Sequence, residues 1–370
     1  MFPPEVYRIA LTAAKGVGPV ICRQLLDIAG DAKDVFESPT ALLSKAPHLN
    51  HKLVDNLFDP ALLPRAAAQY EQMKAHHVDM LFITDENYPT RLRECVDAPL
   101  ILYRRGGFSR WELPFVLSVV GTRNMTSYGK SMIRSLLTDL ASVLPELVIV
   151  SGLAYGVDIE VHRMALKAGL RNIAVLAHGL DIVYPYLHKG DAESICSEGG
   201  ALISEFGIGT PPERFNFVSR NRIIAGISDA TLIIESADKG GALITGELAS
   251  SYGREVLAVP GRVGDAYSQG CNKLIRTMKA ALVTSAEDIV YSLGWERKGD
   301  ALQPTLQFSY PDLPDEPLLN LIAEHHPVHI NDLVRMSGLN VREVSSRLFD
   351  HELDGYISAL PGGLYTLAGR

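Results

Sequence analysis

The sequence predicts an α/β protein whose central feature is a parallel β-sheet. Between residues 115 and 290, short apolar runs alternate with stretches of helical periodicity, the order expected for strands joined by crossover helices. Each run ends in a loop rich in glycine or other small residues. We therefore expect these loops to meet at the carboxyl edge of the sheet, where ligands bind in such folds.

The first apolar run covers residues 115–120 and is followed by a helical pattern over 127–143. Further strands are predicted at 147–150, 172–176, 230–234 and 255–259. Backbone N–H groups and the positive end of a helix dipole are available where a strand leads into a helix. The loop from Gly121 to Thr126 is therefore expected to hold an anion.

Helical periodicity also dominates the first 58 residues, with helices predicted at 5–14 and 20–29 around Lys15-Gly16-Val17-Gly18-Pro19. This arrangement resembles a helix-hairpin-helix, whose turn can hold a nucleic-acid phosphate. It fits equally an αα-hairpin whose glycines only permit a tight turn. Residues 59–114 are predicted to form an edge lobe against the sheet, with short strands at 79–84 and 99–103.

The C-terminal region is predicted to be a winged helix, because helices at 316–325, 330–337 and 341–353 precede a hairpin over 356–366. A linker rich in proline separates it from the sheet. The expected domains are a helical domain at 1–58, a sheet domain with its edge lobe at 59–293, a linker at 294–314 and a winged helix at 315–370.

Composition excludes several classes of protein. The net charge is −8, so a generally basic DNA-coating surface is excluded and any polyanion must bind in a local pocket. The four cysteines form no CxxC pair, which indicates reduced thiols and a cytoplasmic location. No apolar segment is long enough to span a membrane, and no His or Cys cluster predicts a metal site.

The usual nucleotide-cofactor motifs are absent. Arg123 stands where the G-x-G-x-x-G fingerprint needs glycine, and Ser151-Gly152 stands where an acidic residue would bind a ribose. There is no Walker A lysine motif either. Asp158 is interpreted as the N-cap of its helix. We therefore expect no nucleotide cofactor.

Residues 211–224 combine basic and aromatic side chains. They include Arg214, Phe215, Phe217, Arg220 and Arg222, with a single glutamate. This composition suits phosphates together with unstacked bases. The alternative is that the phenylalanines are core residues and the arginines pair with carboxylates such as Glu205 or Glu235.

Several short motifs resemble, in the same order, those of the DNA-processing protein A family (DprA/Smf). They are Gly121-Thr122-Arg123, Ser151-Gly152 with Gly156 and Asp158, Tyr184-Pro185, Ser204-Glu205, Arg220-Asn221-Arg222, Leu243-Ile244-Thr245 and Pro260-Gly261. The resemblance implies an extended Rossmann-like domain with a helical N-terminal domain and a C-terminal winged helix. It also implies binding of single-stranded DNA without a cofactor, homodimerisation, and loading of the recombinase RecA during natural transformation.

The resemblance also implies a set of DNA-binding residues. The family's phosphate loop has the form Gly-[Ser/Thr]-Arg-x-x-[Ser/Thr], which residues 121–126 match in full. The expected DNA-binding residues are Gly121, Thr122, Arg123, Thr126, Ser151, Gly152, Arg214, Phe217, Arg220, Asn221, Arg222, Gly240, Gly241 and Thr245. No catalytic residue is expected.

Two alternative functions remain open at this point. The run from Gly240 through Thr245 to Glu247 departs from the family pattern and is reminiscent of Rossmann-like nucleotide N-glycosidases, in which a glutamate acts in ribosyl cleavage. The spacing differs, however, and Glu247 is expected to start a helix. The other alternative is a winged helix that reads duplex DNA. Residues 315–370 have a net charge of −4, which favours protein contact over duplex binding.

Overall fold

The computed structural model describes residues 2–37, 51–107, 113–295, 314, 316–325, 327–360 and 363–368. These residues fall into two compact units, one ending at residue 295 and one beginning at residue 314. Most of the predicted linker at 294–314, and Pro361 and Gly362 of the predicted hairpin turn, lie outside the described residues. Within the described ranges, no helix combines the length and the apolar character needed to cross a membrane.

The described part of the first unit contains one nine-stranded sheet with the order β1-β2-β6-β5-β4-β3-β7-β8-β9. The strands are β1 Asp79–Phe82, β2 Ile101–Gly106, β3 Val116–Val120, β4 Val148–Ser151, β5 Arg171–Val175, β6 Ala201–Ser204, β7 Ala230–Ile233, β8 Glu255–Ala258 and β9 Ala281–Leu282. From β6 to β9 the sheet is parallel, whereas β1 and β2 are antiparallel. This architecture confirms the predicted fold class.

The chain reverses its direction of travel across the sheet at β3 and β7. From β3 it proceeds through β4 and β5 to β6, and it then returns to place β7 on the other side of β3. These two central strands lie in register, with Val119 beside Leu232. A reversal of this kind opens a crevice at the carboxyl ends of the two strands.

Helices cover both faces of the sheet. They are α1 Pro4–Ala13, α2 Pro19–Ala29, α3 Ala32–Glu37, α4 His51–Leu57, α5 Leu62–Ala75, α6 Thr90–Arg93, α7 Ser127–Val143, α8 Val157–Lys167, α9 Lys189–Ser197, α10 Arg214–Gly226, α11 Gly241–Ser251, α12 Gln269–Arg276 and α13 Ala286–Ser292. One apolar core, which includes Ile133 and Leu136 of α7, lies against one face. A larger core on the opposite face continues into the N-terminal helices, where Ile9 and Leu25 are buried.

The predicted strands at 115–120, 147–150, 172–176, 230–234 and 255–259 are all present, each with ends within one residue of the prediction. Strand β6 was not predicted. It pairs in parallel with β5 and antiparallel with β2, so the predicted edge lobe continues the main sheet through β6. The N-terminal helices meet at Gly16, which has φ +92°, a conformation that the tight turn requires in either interpretation of this hairpin.

The second unit is a winged helix, as predicted. Its elements are α14 Pro317–His325, β10 Val328–His329, α15 Ile330–Ser337, α16 Val341–Leu353, β11 Ile357–Leu360 and β12 Leu364–Leu367. The three strands lie in the order β10-β12-β11. Buried Leu319, Leu333 and Leu348 bring its three helices around a small core of their own.

Candidate nucleic-acid interface

A cavity of about 330 Å³ lies at the reversal between β3 and β7; we call it the switch-point cavity. The loops after these strands form its floor, and α10 forms one wall. Nine of the fourteen predicted residues line it: Gly121, Thr122, Arg123, Phe217, Arg220, Asn221, Gly240, Gly241 and Thr245. Residues more than 100 positions apart in the sequence therefore meet in one site.

Arg220 places a buried positive charge in this cavity. Only 3% of the residue is exposed, and its Nη1 donates a hydrogen bond to the carbonyl of Val175 at 2.5 Å. The buried Nε has no hydrogen-bond partner. Burial lowers the pKa of Arg220 to about 10, and the nearby Asp158 carboxylate opposes this change. The guanidinium therefore stays charged at neutral pH and retains an unused donor.

Asp158 lies close to Arg220 inside the protein, and its interpretation as a helix N-cap was wrong. The N-cap of α8 is Gly156, and Asp158 belongs to the first turn. Its carboxylate accepts a hydrogen bond from the Ala154 N–H at 3.4 Å. Burial raises the pKa of Asp158, whereas Arg220 lowers it. This proximity could not be predicted from the sequence, because 62 residues separate the pair.

The N-terminus of α11 opens into the same cavity. Its N-cap is Gly240, which supplies no side-chain hydrogen bond to the first turn. A Cβ built on Gly241 would meet no atom within 4 Å, so the space in front of the helix is open. Backbone N–H groups at such a helix end favour an anion. Arg220 and Asp158 also line the cavity, so its charged lining combines a guanidinium and a carboxylate, with Arg123 at the rim. The N–H groups of α11 together with the two arginines suit a phosphate.

An exposed cation and two aromatic rings form the outer rim of the cavity. The Arg123 guanidinium lies 5.5 Å from the centre of the Phe217 ring. The ring of Tyr184 contacts Phe217 with 5.7 Å between ring centres, and 44% of Tyr184 is exposed. The backbone N–H of Tyr184 donates a hydrogen bond to His178 Nε2 at 3.3 Å, which positions this loop. Tyr184 was recognised as part of a motif but was not predicted as a site residue.

Thr126 lies outside the switch-point cavity and borders a second one. It is the N-cap of α7, and its side chain accepts a hydrogen bond from the Gly129 N–H. Its own backbone N–H donates to Glu235 Oε2 at 2.8 Å, and its hydroxyl donates to Glu235 Oε1. A carboxylate of the protein itself therefore occupies the N-terminus of α7, where the sequence suggested a bound anion.

Ser151 and Gly152 lie behind the cavity wall. The hydroxyl of Ser151 donates a hydrogen bond to the Val119 carbonyl at 2.7 Å and is completely buried. A Cβ at Gly152 would overlap both the Arg220 guanidinium and the Asp158 carboxylate. Gly152 thus provides the space in which Arg220 reaches the cavity, although it does not line the cavity itself.

The remaining predicted arginines have different surroundings. Arg222 forms an ion pair with Glu205 and donates a hydrogen bond to the Asp97 carbonyl, as the alternative interpretation of this segment predicted. Arg214 is exposed at the first position of α10, three residues before Phe217. That spacing places it on the same helix face as Phe217, one turn away from the cavity. Phe215 is 77% exposed and is not a core residue.

Glu247, the residue on which the glycosidase alternative depends, does not line the switch-point cavity. It is the seventh residue of α11 and is exposed. The expectation that Glu247 starts its helix was therefore wrong. Thr245, two residues earlier, is buried and does line the cavity.

The fold and the cavity define a Rossmann-like protein whose topological switch point carries a cavity with a buried arginine and an aromatic rim. The sequence profile described as DNA recombination-mediator protein A matches residues 79–294. The profile of the DprA winged helix domain matches residues 305–363. The chain belongs to the DNA-processing protein A family, DprA/Smf, which confirms the resemblance found in its motifs.

Individual relatives agree with this assignment. Protein Smf of Escherichia coli is 37% identical over 298 residues, which cover 79% of this chain and 78% of that protein. DNA processing protein DprA of Streptococcus pneumoniae is 40% identical over 208 residues, covering 56% of this chain and 72% of that protein. These relatives indicate a DNA-processing role for the chain.

Two solved structures are similar as well. The structure of DprA from Streptococcus pneumoniae is 30% identical to this chain with a TM-score of 0.60. The match covers 79% of this chain and 98% of the Streptococcus pneumoniae chain. The structure of DNA processing protein A from Helicobacter pylori has a TM-score of 0.52 and 28% identity, covering 58% of this chain and 95% of that one. The latter structure was described for a unique single-stranded DNA binding mode.

Proposed function

We propose that this protein binds single-stranded DNA at the switch-point cavity. The observation that carries the proposal is the meeting of Arg220, a buried cation that lines the cavity, and the uncapped N-terminus of α11 in one open cavity. Both groups attract an anion, and a DNA phosphate is the anion that the aromatic rim suits. The single-stranded DNA binding described for the Helicobacter pylori relative supports this choice.

The proposed binding mode follows from the arrangement of the side chains. A phosphate lies between Arg220 and the first N–H groups of α11, and Arg123 approaches the same strand from the rim. An unpaired base stacks on Phe217, beside Tyr184. Arg214 holds a phosphate further along the strand, one helical turn from Phe217. Because phosphate contacts and stacking carry little sequence information, we expect binding to tolerate any sequence.

We further propose that the protein acts as a homodimer that loads RecA onto incoming strands during natural transformation. This part of the proposal rests on membership of the family. A dimer presents two switch-point cavities, so one strand that reaches both gains avidity without any new contact. RecA and single-stranded DNA are the proposed partners.

We propose that the protein acts by binding and not by catalysis. The glycosidase alternative needs a carboxylate beside the bound nucleotide. Glu247 instead projects from the exposed middle of α11, and the buried Asp158 lies next to the Arg220 guanidinium. Asp158 does line the switch-point cavity, but only 7% of it is exposed. Its carboxylate accepts the Ala154 N–H and lies beside Arg220, so we propose that it balances the charge of that arginine and does not act on a ribose.

For the winged helix, we propose contact with a protein and not with duplex DNA. The arginine nearest the middle of α16, Arg347, forms an ion pair with Glu316 at 3.1 Å, and Arg335 pairs with Asp332 at 2.8 Å. Arginines held by carboxylates within their own domain have less charge available for phosphates. The net charge of −4 over residues 315–370 favours the same conclusion.

Fluorescence anisotropy with single-stranded and duplex oligonucleotides of equal length, each at two salt concentrations, tests this function. We expect tighter binding to the single strand, because Phe217 can stack only on an unpaired base, and weaker binding at higher salt. Equal or tighter binding to the duplex would contradict the proposed binding mode.

A further inference from the structure

A second cavity of about 860 Å³ adjoins the switch-point cavity. The segment after β7 separates the two cavities. Glu235 lines the second cavity, whereas Ser236 and Ala237 line the switch-point cavity. The start of α7 and the loop after β8 complete the second cavity, which we call the Tyr128 cavity. Its volume lies within the range of roughly 300–1,000 Å³ that is usual for small-ligand sites.

The aromatic wall of this cavity is held in place. Tyr128 is 41% exposed, yet its hydroxyl donates a hydrogen bond to the Pro260 carbonyl at 2.5 Å. This bond ties the ring to the loop after β8 and leaves the exposed part of the ring available. Tyr267 also lines the cavity, and its carbonyl accepts a hydrogen bond from the Ser236 N–H at 2.6 Å. A flat ring fixed in this way suits the stacking of a base.

The charges of the Tyr128 cavity do not suit a phosphate. Its lining includes the carboxylates of Glu235 and Asp265 and only one guanidinium, that of Arg262. Glu235 already occupies the N-terminus of α7 through Thr126. The helix end that would attract an anion is thus neutralised, whereas the aromatic wall and the polar groups suit an uncharged nucleobase.

We infer that the Tyr128 cavity receives a base of the same DNA strand whose phosphate lies in the switch-point cavity. The inference rests on the proposed function. Neighbouring strands of a sheet lie about 4.8 Å apart, so the loops after β7 and β8 lie within reach of successive nucleotides. One nucleotide then stacks on Phe217, and the next places its base against Tyr128 on the other side of the 235–237 segment.

The test compares two ligands that share a backbone: an eight-residue oligothymidylate and an oligomer of the same length composed only of abasic residues. Tyr128→Ala is expected to weaken binding of the oligothymidylate by about fivefold or more, the lower end of the contribution of one stacked base. Binding of the abasic oligomer should not change, because it has no base to stack. Tyr128→Phe keeps the ring and should retain most of the affinity.

A second variant fills the cavity without removing any contact of the fold. A Cβ at Gly264 would meet no atom within 4 Å, and the residue has no positive φ, so Gly264→Leu should fold normally and exclude the base. The matched control is Tyr291→Ala, because Tyr291 is 90% exposed and lines neither cavity. Gly264→Leu should weaken binding of the oligothymidylate and not binding of the abasic oligomer. Tyr291→Ala should leave the binding of both ligands unchanged.

The inference is overturned if Tyr128→Ala and Gly264→Leu both bind oligothymidylate as tightly as the unchanged protein. It is also overturned if both variants lose the same affinity for the oligothymidylate and for the abasic oligomer. An equal loss would mean that contacts with the DNA backbone, or the fold itself, had been damaged. Arg123→Ala separates this result from a failure of the proposed function. If the unchanged protein binds neither ligand, both ideas fail; if binding depends on Arg123 and not on Tyr128, only the inference fails.

Discussion

The Arg123 guanidinium lies over the face of the Phe217 ring, 5.5 Å from its centre. Among the described residues this ring is the group against which the Arg123 side chain packs, and it therefore helps to position the cation. A cation held over an aromatic face is stabilised by about 0.5–1 kcal/mol at an exposed site. The cation that we propose binds phosphate and the ring that we propose stacks a base are therefore coupled to each other.

Arg123→Ala should weaken single-stranded DNA binding and flatten its salt dependence. The lost cation no longer displaces counterions, so the slope of log affinity against log salt should fall by up to about 0.7, the share of one phosphate in a single strand. Anisotropy titrations at four salt concentrations measure the slope. Arg123→Lys should keep most of the slope, and an unchanged slope in Arg123→Ala would show that this arginine does not contact a phosphate.

Phe217→Ala should cost about 1–3 kcal/mol of binding free energy, the contribution of one stacked base, and should largely keep the salt slope. Phe217→Tyr should restore most of the affinity. Because Phe217 also positions Arg123, the double variant should lose less than the sum of the two single losses. Thermal melting is the control, since a variant that melts many degrees lower has lost core packing and not a stacking surface.

Gly152→Ala should reduce both stability and DNA binding, because the new Cβ would overlap the Arg220 guanidinium and the Asp158 carboxylate. Arg220 must then leave its position beside the Val175 carbonyl. The control is Gly190→Ala, where a Cβ meets no atom within 4 Å and alanine is the better helix former. Thermal melting and anisotropy of both variants check this. Normal binding by Gly152→Ala would mean that Arg220 is not needed in its observed place.

Glu247→Gln should leave DNA binding unchanged, and the purified protein should release no free base from nucleoside monophosphates. The reason is the exposed position of Glu247 outside the switch-point cavity. Chromatography of the reaction mixture detects any free base. Base release that disappears in Glu247→Gln would instead establish the glycosidase activity.

Acid should destabilise the protein through His162. Burial lowers the pKa of His162 to about 4, with Arg220 and His188 acting in the same direction, while Asn172 and Asp191 oppose it. As the pH falls below about 6.5, the unfolded chain takes up a proton that the folded protein does not. The free energy of unfolding therefore falls until the pH reaches about 4, by about 3 kcal/mol.

Urea unfolding at several pH values gives the free energy of unfolding of the unchanged protein and of His162→Gln. The difference between the two at each pH measures the contribution of His162. The variant should show a weaker pH dependence between 6.5 and 4. The control is His51→Gln, which replaces an exposed imidazole by the same residue without opening space in the core. Parallel profiles for the unchanged protein and His162→Gln would show that His162 does not carry this pH dependence.

Much of the fold could be predicted because each buried strand is a continuous apolar run followed by a loop. The strand β6 was missed because it contains only three apolar residues, Ala201, Leu202 and Ile203, whereas each predicted strand contains at least four. So short an apolar run does not distinguish strand from helix. The antiparallel attachment of β2 to β6 could not be predicted, since no local signal specifies which strands pair.

The candidate site was predicted in part for the same reason. The loops after β3 and β7 had to meet at the sheet edge, so the glycines and Arg123 were found. The contacts of Glu235 with Thr126 join residues 109 positions apart. They could not be predicted, because no local pattern around either residue indicates this pairing. Helical geometry could have been used at one further point. Arg220 and Arg222 are two positions apart on α10, so they project about 160° apart and face opposite sides of the helix.

The Glu235 carboxylate occupies the N-terminus of α7, so it competes with any free anion for that helix end. A tethered group has an effective concentration in the millimolar range or above. In Rossmann folds that bind cofactors, the phosphates lie at the N-terminus of the helix after the first strand. Here a small phosphate would have to displace the Glu235 carboxylate from that position, and this carboxylate is attached to the chain. In the proposed binding mode a DNA strand avoids this competition, because its phosphate binds at the open end of α11 and not at α7.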